Sequence, residues 1–415
     1  DQSRESSIFD STPICDPCSD SRRPPGSCKL TLLNYRVKMT KAGIYIHIPF
    51  CKTKCMYCDF YSITDRKKDT DRFVSALCNE ISHSSLDEYP WIFDTLFIGG
   101  GTPSLLNGNQ LESILTTLSK KVSFSYLTEK TIEINPGEAS LEKLTDFYSL
   151  GINRVSMGVQ SLDKKLLAFL TRSHSVKQVF ETFDHIRTAG FENINCDIIY
   201  GIPGQTLDIW KRDMNRIIKL NPGHISAYSL TVEKGTELFR MVNSNEVIMP
   251  RNSESADWFT LTRSFLSKYQ YIPYEISNFS KPEKECRHNL HYWNIDPYIG
   301  FGPSAHSFDG NHRWNNTRSL DQYMKKIDEN LSPISKSEKL TLIQKVNEKI
   351  GFGLRLNAGI NLDKFSKIHK NQFNQNVKLH QNKWNDYIKR DRKKIKLRER
   401  GFPFADAIAV DLMLQ

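Results

Sequence analysis

The stretch Tyr45-Ile46-His47-Ile48-Pro49-Phe50-Cys51-Lys52-Thr53-Lys54-Cys55-Met56-Tyr57-Cys58 runs an apolar strand into three thiols spaced Cys-x3-Cys-x2-Cys. The strand, residues 44–48, opens a rhythm. Short apolar runs at 95–98, 131–134, 154–158, 194–200 and 225–230 predict five more strands. Helical patterns lie between them, near 69–83, 110–121, 140–150, 176–189 and 207–220. Gly151, Gly190 and Asn221-Pro222-Gly223 stand where three of these helices should stop. Alternation of this kind means a parallel α/β sheet with crossover helices. Six units are too few for a closed eight-stranded barrel. A partial (β/α)6 barrel and an open doubly wound sheet both satisfy the pattern.

In either architecture the chemistry gathers where strands end. His47 and the cysteines follow strand one, and Gly99-Gly100-Gly101-Thr102-Pro103 follows strand two. Glu133 and Asn135-Pro136 close strand three, and Gln160 closes strand four. Asp197 lies within strand five, which ends in Gly201-Ile202-Pro203-Gly204. Three thiolates on a short loop satisfy three irons of a [4Fe–4S] cubane and leave the fourth open. The amino and carboxylate groups of a methionine moiety fit that opening and bring its sulfonium beside the cluster. The plainer alternative is structural zinc, which wants a closed set of four ligands. Only three cysteines stand here, with His47 back in the strand.

These residues resemble the radical SAM family. Tyr57 before the last cysteine, the flank Tyr45-Ile-His47-Ile-Pro-Phe-Cys51 and the Gly99-Gly-Gly-Thr-Pro103 run carry the likeness. Within that family they are similar to the branch of oxygen-independent coproporphyrinogen III oxidase (HemN) and the HemW haem chaperones. The likeness continues through Ile132-Glu-Ile-Asn-Pro136, Asn153-Arg-Val-Ser-Met-Gly-Val-Gln160 and Asp197-Ile-Ile-Tyr-Gly-Ile-Pro-Gly204. It resumes at Tyr274-Glu-Ile-Ser-Asn278, Cys286-Arg-His-Asn-Leu-His-Tyr-Trp293 and Ala405-Asp-Ala407. The resemblance implies a radical SAM barrel over residues 39–275 and a linker with a candidate haem region over 276–335. It also implies a small, mostly helical, wing-like C-terminal domain over 336–415.

HemN-type oxidases carry a further cysteine two positions after the third ligand; here that position is Phe60. Together with the short lead before strand one and the His288-Asn289-Leu290-His291-Tyr292-Trp293 motif, this favours the HemW subgroup. The implied function is a haem chaperone that binds haem and delivers it to acceptor proteins, respiratory and membrane-associated ones among them. The alternative is oxidative decarboxylation of coproporphyrinogen III. By resemblance, Tyr45, Tyr57, Gly100, Gly101, Thr102, Glu133, Gln160, Arg172 and Asp197 bind S-adenosylmethionine, although Arg172 also reads as an ordinary solvated charge. His288, Asn289, His291, Tyr292 and Trp293 are the haem candidates, with either histidine as axial ligand. Equally open is a hydrogen-bonded loop with Tyr292 and Trp293 as core. A homodimer is a further option.

The nine cysteines are an odd number with no secretory signal, which implies a reducing, cytoplasmic setting. Cys78 and Cys196 read as buried small hydrophobes. No apolar run of about 18 residues exists to cross a membrane. The net charge of +10 owes much to a basic stretch at 383–400, read as a solvated helix face, with no nucleic-acid motif. Residues 1–38 are Ser- and Pro-rich and read as a disordered extension of translated upstream sequence, with Met39 as a natural start. Cys15, Cys18 and Cys28 make only a weak zinc pattern there. From Ser337 onward the pattern reads as helical, with Leu362, Phe365 and Ile368 on one helix and the Leu and Phe residues as core.

Overall fold

The computed structural model describes residues 39–415; the readings made for residues 1–38 and their three cysteines lie outside the described residues. Six strands run parallel: β1 (Thr40–Ile48), β2 (Trp91–Gly100), β3 (Glu129–Ile134), β4 (Arg154–Gln160), β5 (Asn193–Tyr200) and β6 (His224–Ser229). They neighbour one another in chain order. Each adds on the same side of the last, so right-handed crossovers put the intervening helices on one face. A doubly wound sheet requires a reversal of strand order, and none occurs from β1 to β6. The architecture is therefore the partial barrel, left open because β1 pairs on its far side with a later strand and not with β6.

Period-two alternation sorts the side chains. Ile44, Ile46, Ile98, Ile132, Val155, Ile194 and Ile225 point outward, fully buried under the helices. The inner face instead carries Tyr45, His47, Glu133, Arg154, Asn195, Asp197 and His224, one or two polar groups per strand. Gly151 (φ 88°), Gly190 (φ 103°) and Asn221 (φ 57°) take the left-handed conformation that ends their helices, as expected. Cys196 is buried in the core, and Cys78 packs against it.

Residues 276–335 are not a linker. β7 (Ile272–Pro273) and β8 (Asn278–Ser280) continue the sheet beyond β6. β9 (Tyr298–Phe301) lies parallel beside β1, followed outward by antiparallel β10 (His306–Phe308), β11 (His312–Asn316) and β12 (Ile334–Lys339). Most of these strands are only two to five residues long, too short for alternation to become legible, and the longest, β12, is polar throughout but for Ile334.

The C-terminal region also departs from the helical reading. Ser337 and Lys339 belong to β12, not to a helix. Helices Leu342–Arg355, Lys367–Leu379, Gln381–Trp384 and Ala405–Leu412 surround a small sheet of β13 (Ile360–Asn361), β14 (Ile388–Arg390) and β15 (Lys394–Leu397), ordered β13-β15-β14. The basic stretch is largely the β14–β15 hairpin: Ile395 and Leu397 turn inward while Lys394 and Lys396 turn out. Its charges hide that alternation from a helix-minded reading. Leu362 falls in a single 3-10 turn and Ile368 is exposed, so the expected helix face does not form. Leu362, Phe365, Phe373 and Leu412 do make a core, as expected. Arg263, 3% exposed, fastens this region by bonding Glu399 (3.0 Å) and Asn357 (2.9 Å) and stacking over Phe402 (4.0 Å).

Glu80, on helix Thr70–Ser82, accepts from Gly302 N–H (2.8 Å), Asn316 Nδ2 (2.6 Å) and Tyr323 O–H (2.6 Å), tying the barrel to its β9–β11 extension. Burial lifts its pKa to about 7. The unfolded carboxyl ionises first, so stability falls by about 1.4 kcal/mol per pH unit from roughly pH 4.5 to pH 7. Glu80→Gln escapes that loss. Thermal midpoints measured at pH 5, 6, 7 and 8 should diverge in favour of the variant up to about pH 7 and run parallel above it. A pH-independent difference would contradict the assignment.

Candidate functional site

The cysteine loop is pinched at its base. Cys51 N–H donates to Ile63 O (2.9 Å) and Ile63 N–H to Pro49 O (2.8 Å). Within it, Cys58 N–H donates to Cys55 O (3.1 Å), turning both cysteines toward one side. All three thiols are half-buried, and burial raises the pKa of Cys51 and pushes that of Cys58 up to about 11. Each sulfur has its own donor: Thr102 Oγ1 to Cys51 (3.5 Å), Arg172 to Cys55 (3.5 Å) and the Phe60 backbone N–H to Cys58. Such donors stabilise thiolates and are the outer partners an iron–sulfur cluster uses. Among the described residues no group of three His, Cys, Asp or Glu stands close enough around one point to hold a single metal ion.

Strand two arrives beside the loop through close backbone contact. Gly101 N–H donates to Ile48 O and Thr102 N–H to Phe50 O, both at 2.7 Å. A Cβ on Gly101 would stand 2.6 Å from Phe50 O, which is why glycine is required. Those two N–H groups are thereby occupied. A ligand amino group could use only carbonyls on this strip. Gly100, at φ 109°, donates its N–H to Glu133 Oε2 (3.1 Å). Burial, reinforced by Asp197, raises the Glu133 pKa to about 8. Asp197 is itself raised by burial, although Ser156 (3.0 Å) and Asn195 (2.8 Å) bond its carboxylate.

Arg172 is not a solvated charge. It is half-buried and donates to Asn135 Oδ1 (2.6 Å) and Gly158 O (2.8 Å) as well as to Cys55. Asn135 Nδ2 in turn donates to Thr102 Oγ1 (3.0 Å), which donates to Cys51. The two outer strands of the site are thus linked sulfur to sulfur: Cys55, Arg172, Asn135, Thr102, Cys51. Gln160 completes this rim from a bulge after Gly158, held at φ 65°. A Cβ on Gly158 would lie within 3.3 Å of Gln160, Arg172 and Asn135 alike. Tyr57 packs beside Arg172, and burial raises its pKa. Tyr45 sits deeper, its hydroxyl on His47 Nδ1 (3.0 Å) while His47 Nε2–H donates to Tyr61 O (2.8 Å). Burial lowers the His47 pKa to about 4, which keeps the ring neutral.

Two inner-face residues escaped the sequence reading. Asn135 was visible only as the end of a strand. Arg154, 1% exposed, opposes Thr131 across β3 and β4 with its Nε unbonded, and the carboxylates of Glu129 and Asp197 help keep it charged. A lone arginine in a strand gives no sequence signal of burial.

The haem candidates lie elsewhere. Helix Arg287–Asn294 hangs from Glu129, which accepts the N–H groups of Arg287 and His288 (3.0 Å each). His288 bonds Thr95 Oγ1 (2.8 Å) and Tyr292 O–H (2.9 Å). His291 bonds Asp94 (2.8 Å) and Asp296 (3.0 Å), whose carboxylates raise its pKa to about 9. Both rings have both nitrogens engaged by protein partners. Tyr292 packs on Tyr298 (4.7 Å) and Trp293 on Phe352 (5.9 Å), with Asn289 half-buried beside them. This is the hydrogen-bonded alternative. The helix touches Gly43 and Thr95, upstream of Ile48 and Gly100, so it closes the barrel at the end opposite the cysteines.

The sequence matches the Radical SAM superfamily over residues 45–217. It is 31% identical over 375 residues to the heme chaperone HemW of Lactococcus lactis, covering 89% of this chain and 97% of the relative. The chain belongs to the HemW family. The HemW of Bacillus subtilis is 35% identical over 324 residues, 78% of this chain and 86% of that one. The solved structure of the radical SAM enzyme HemN, the coproporphyrinogen III oxidase of Escherichia coli, superposes with a TM-score of 0.78 over 91% of both chains at 24% identity, which shows a shared fold. Family membership as a radical SAM protein implies a [4Fe–4S] cluster and S-adenosylmethionine, and the hydrogen-bond donors at the thiols fit the cluster.

Asn135→Ala cuts the link between the Cys51 and Cys55 donors while leaving every thiol in place. Redox titration of the iron- and sulfide-reconstituted protein should give a more negative midpoint potential than wild type at equal iron content, because fewer aligned donors stabilise the added electron. Identical potentials would show that the linkage does not reach the sulfurs.

Proposed function

We propose that this chain holds a [4Fe–4S] cluster on Cys51, Cys55 and Cys58, binds S-adenosylmethionine at the open iron, and carries haem to acceptor proteins in the cytoplasm or at its membrane. The observation that carries the haem reading over the oxidase reading is Phe60. It is 64% exposed beside the cysteine loop, where oxidase-type relatives place another cysteine. The relatives named heme chaperone HemW, aligned across most of the chain, support the same choice. Among the described residues no helix is long and apolar enough to cross a membrane.

When bound, a cluster of this type supplies one electron to the sulfonium of S-adenosylmethionine. The chain's own residues bind and orient. Glu133 offers its carboxylate to the amino group, together with carbonyls of the Gly100 and Gly101 strip. Asp197 and Gln160 face the ribose, and Arg172 attracts the methionine carboxylate while fixing Cys55. Tyr45 and Tyr57 flank the ligand with aromatic faces, which suit a cation. The His288–Trp293 helix supports the barrel floor in this reading.

Anaerobic purification, reconstitution with iron and sulfide, haem titration and a coproporphyrinogen assay test the reading together. Wild type should hold about four irons per chain, bind haem and leave coproporphyrinogen unchanged. Cys58→Ala should fail to keep a full cluster. Turnover to protoporphyrinogen would establish the oxidase instead. Glu133→Gln, which removes a charged hydrogen-bond partner worth about 1.5–3 kcal/mol, should weaken S-adenosylmethionine binding by roughly ten- to a hundredfold in calorimetry.

A further inference from the structure

The net charge of +10 belongs entirely to the last 80 residues. Residues 336–415 hold 18 Lys and Arg against 8 Asp and Glu, while residues 1–335 hold 39 of each. Seven of those eight carboxylates are engaged within the fold. Glu348, Asp363, Asp386, Glu399, Asp406 and Asp411 form ion pairs, two of them with Arg313 and Arg263 from outside the region. Asp391 accepts the N–H groups of Lys393 (2.8 Å) and Lys394 (2.7 Å) at the turn of the β14–β15 hairpin. The surplus positive charge is thus left without counter-ions.

Register gathers much of it on one surface. Lys389 stands directly opposite Lys396 across the hairpin, and alternation puts Lys394 on the same outward face. Like charges facing each other across two strands destabilise the pair, so the fold itself gains nothing from this arrangement.

Helix Lys367–Leu379 continues the surface. Arg390, at the end of β14, donates to Asn374 Oδ1 on that helix (2.7 Å), while Phe373 and Val377 turn into the core. Around the helix from Asn374, at 100° per residue, come Lys367 and Lys378, then Ile368 and Leu379. The members of each pair lie about three turns apart, so each pair lines up along the axis. Ile368 is 70% exposed and Leu379 77%. Lys367, Lys378, Lys389, Lys394 and Lys396 are exposed and have no ion-pair partner among the described residues. The result is a field of lysines running from hairpin to helix, bordered by two aliphatic side chains.

Cations beside exposed aliphatics suit the headgroup boundary of an anionic bilayer, where lysines meet phosphate and apolar side chains reach the acyl region. Nucleic acid would use the charges but leave Ile368 and Leu379 in water. The hairpin also has no aromatic ring on which a base could stack. We propose that this face docks the chain peripherally on an anionic lipid bilayer. The proposal rests on the reading of haem delivery at a membrane and names the surface that makes the approach.

The test sediments the full chain, with its cluster reconstituted, with vesicles of phosphatidylcholine alone or mixed with phosphatidylglycerol. Wild type should bind the mixed vesicles, not the neutral ones, and bind less as salt rises. Combining Lys367→Gln, Lys378→Gln, Lys389→Gln and Lys396→Gln should weaken binding by about a hundredfold or more, roughly fivefold per lysine. Its iron content should match wild type and its thermal midpoint should not fall, because the Lys389–Lys396 repulsion is gone. Ile368→Ser with Leu379→Ser should weaken binding while keeping the wild-type salt dependence. Equal binding to neutral vesicles, or wild-type affinity in the four-lysine variant, overturns the proposal. So does binding to a DNA duplex in the same salt with none to vesicles, which would assign the face to nucleic acid. Vesicle binding of the expected kind by a chain that takes up no haem upholds the docking face and overturns the haem reading alone.

Discussion

Three reactive sulfurs must be held at a barrel rim by groups that leave their bonding capacity for something else. The chain meets this constraint with backbone and amide chemistry. The neck of the loop is closed by Cys51 and Ile63, its flank is sewn to strand two through Gly101 and Thr102, and Arg172 with Asn135 spans the gap between strands three and four. No thiol serves as a structural anchor. The glycines at 99 to 101, the positive φ at Gln160 and the hydrogen bonds of Arg172 all follow from bringing four strand ends this close.

The second consequence is a barrel whose interior is polar. Aliphatic side chains face the helices, so hydrophobic burial holds the outer layer and the inner layer is free for charge. That freedom has a cost, because buried ions need partners. Burial raises the pKa of Glu133 and of Asp197, Asp197 adds to the rise at Glu133, and Asn195 bridges Asp197, Ser156 and His224. The interior groups are coupled through these contacts, so one substitution there shifts the ionisation of its neighbours.

The legible part of this fold was the part built on outward-facing aliphatics. Ile44, Ile98, Ile132, Val155, Ile194 and Ile225 mark their strands because each strand packs one face on a helix. The stop residues marked three helix ends for a local reason, a positive φ. Strands β7 to β12 and the basic hairpin stayed hidden because they are short, edge-like or covered in charge, and pairing partners far along the chain define them. At the site, the cysteines were legible from spacing alone. Glu133 and Asp197 are brought together as the strand-end rule implied, but Asn135 and Arg154 act through neighbours more than twenty residues away, and that is invisible in a linear pattern. The His288–Trp293 motif holds its histidines in hydrogen bonds to Thr95, Tyr292, Asp94 and Asp296, pairings that no linear pattern announces.

Those hydrogen bonds also give the barrel two unlike ends. Helix Arg287–Asn294 packs under β1, β2 and β3 and covers the end opposite the cysteines. One end is finished by a helix and the other by three thiols.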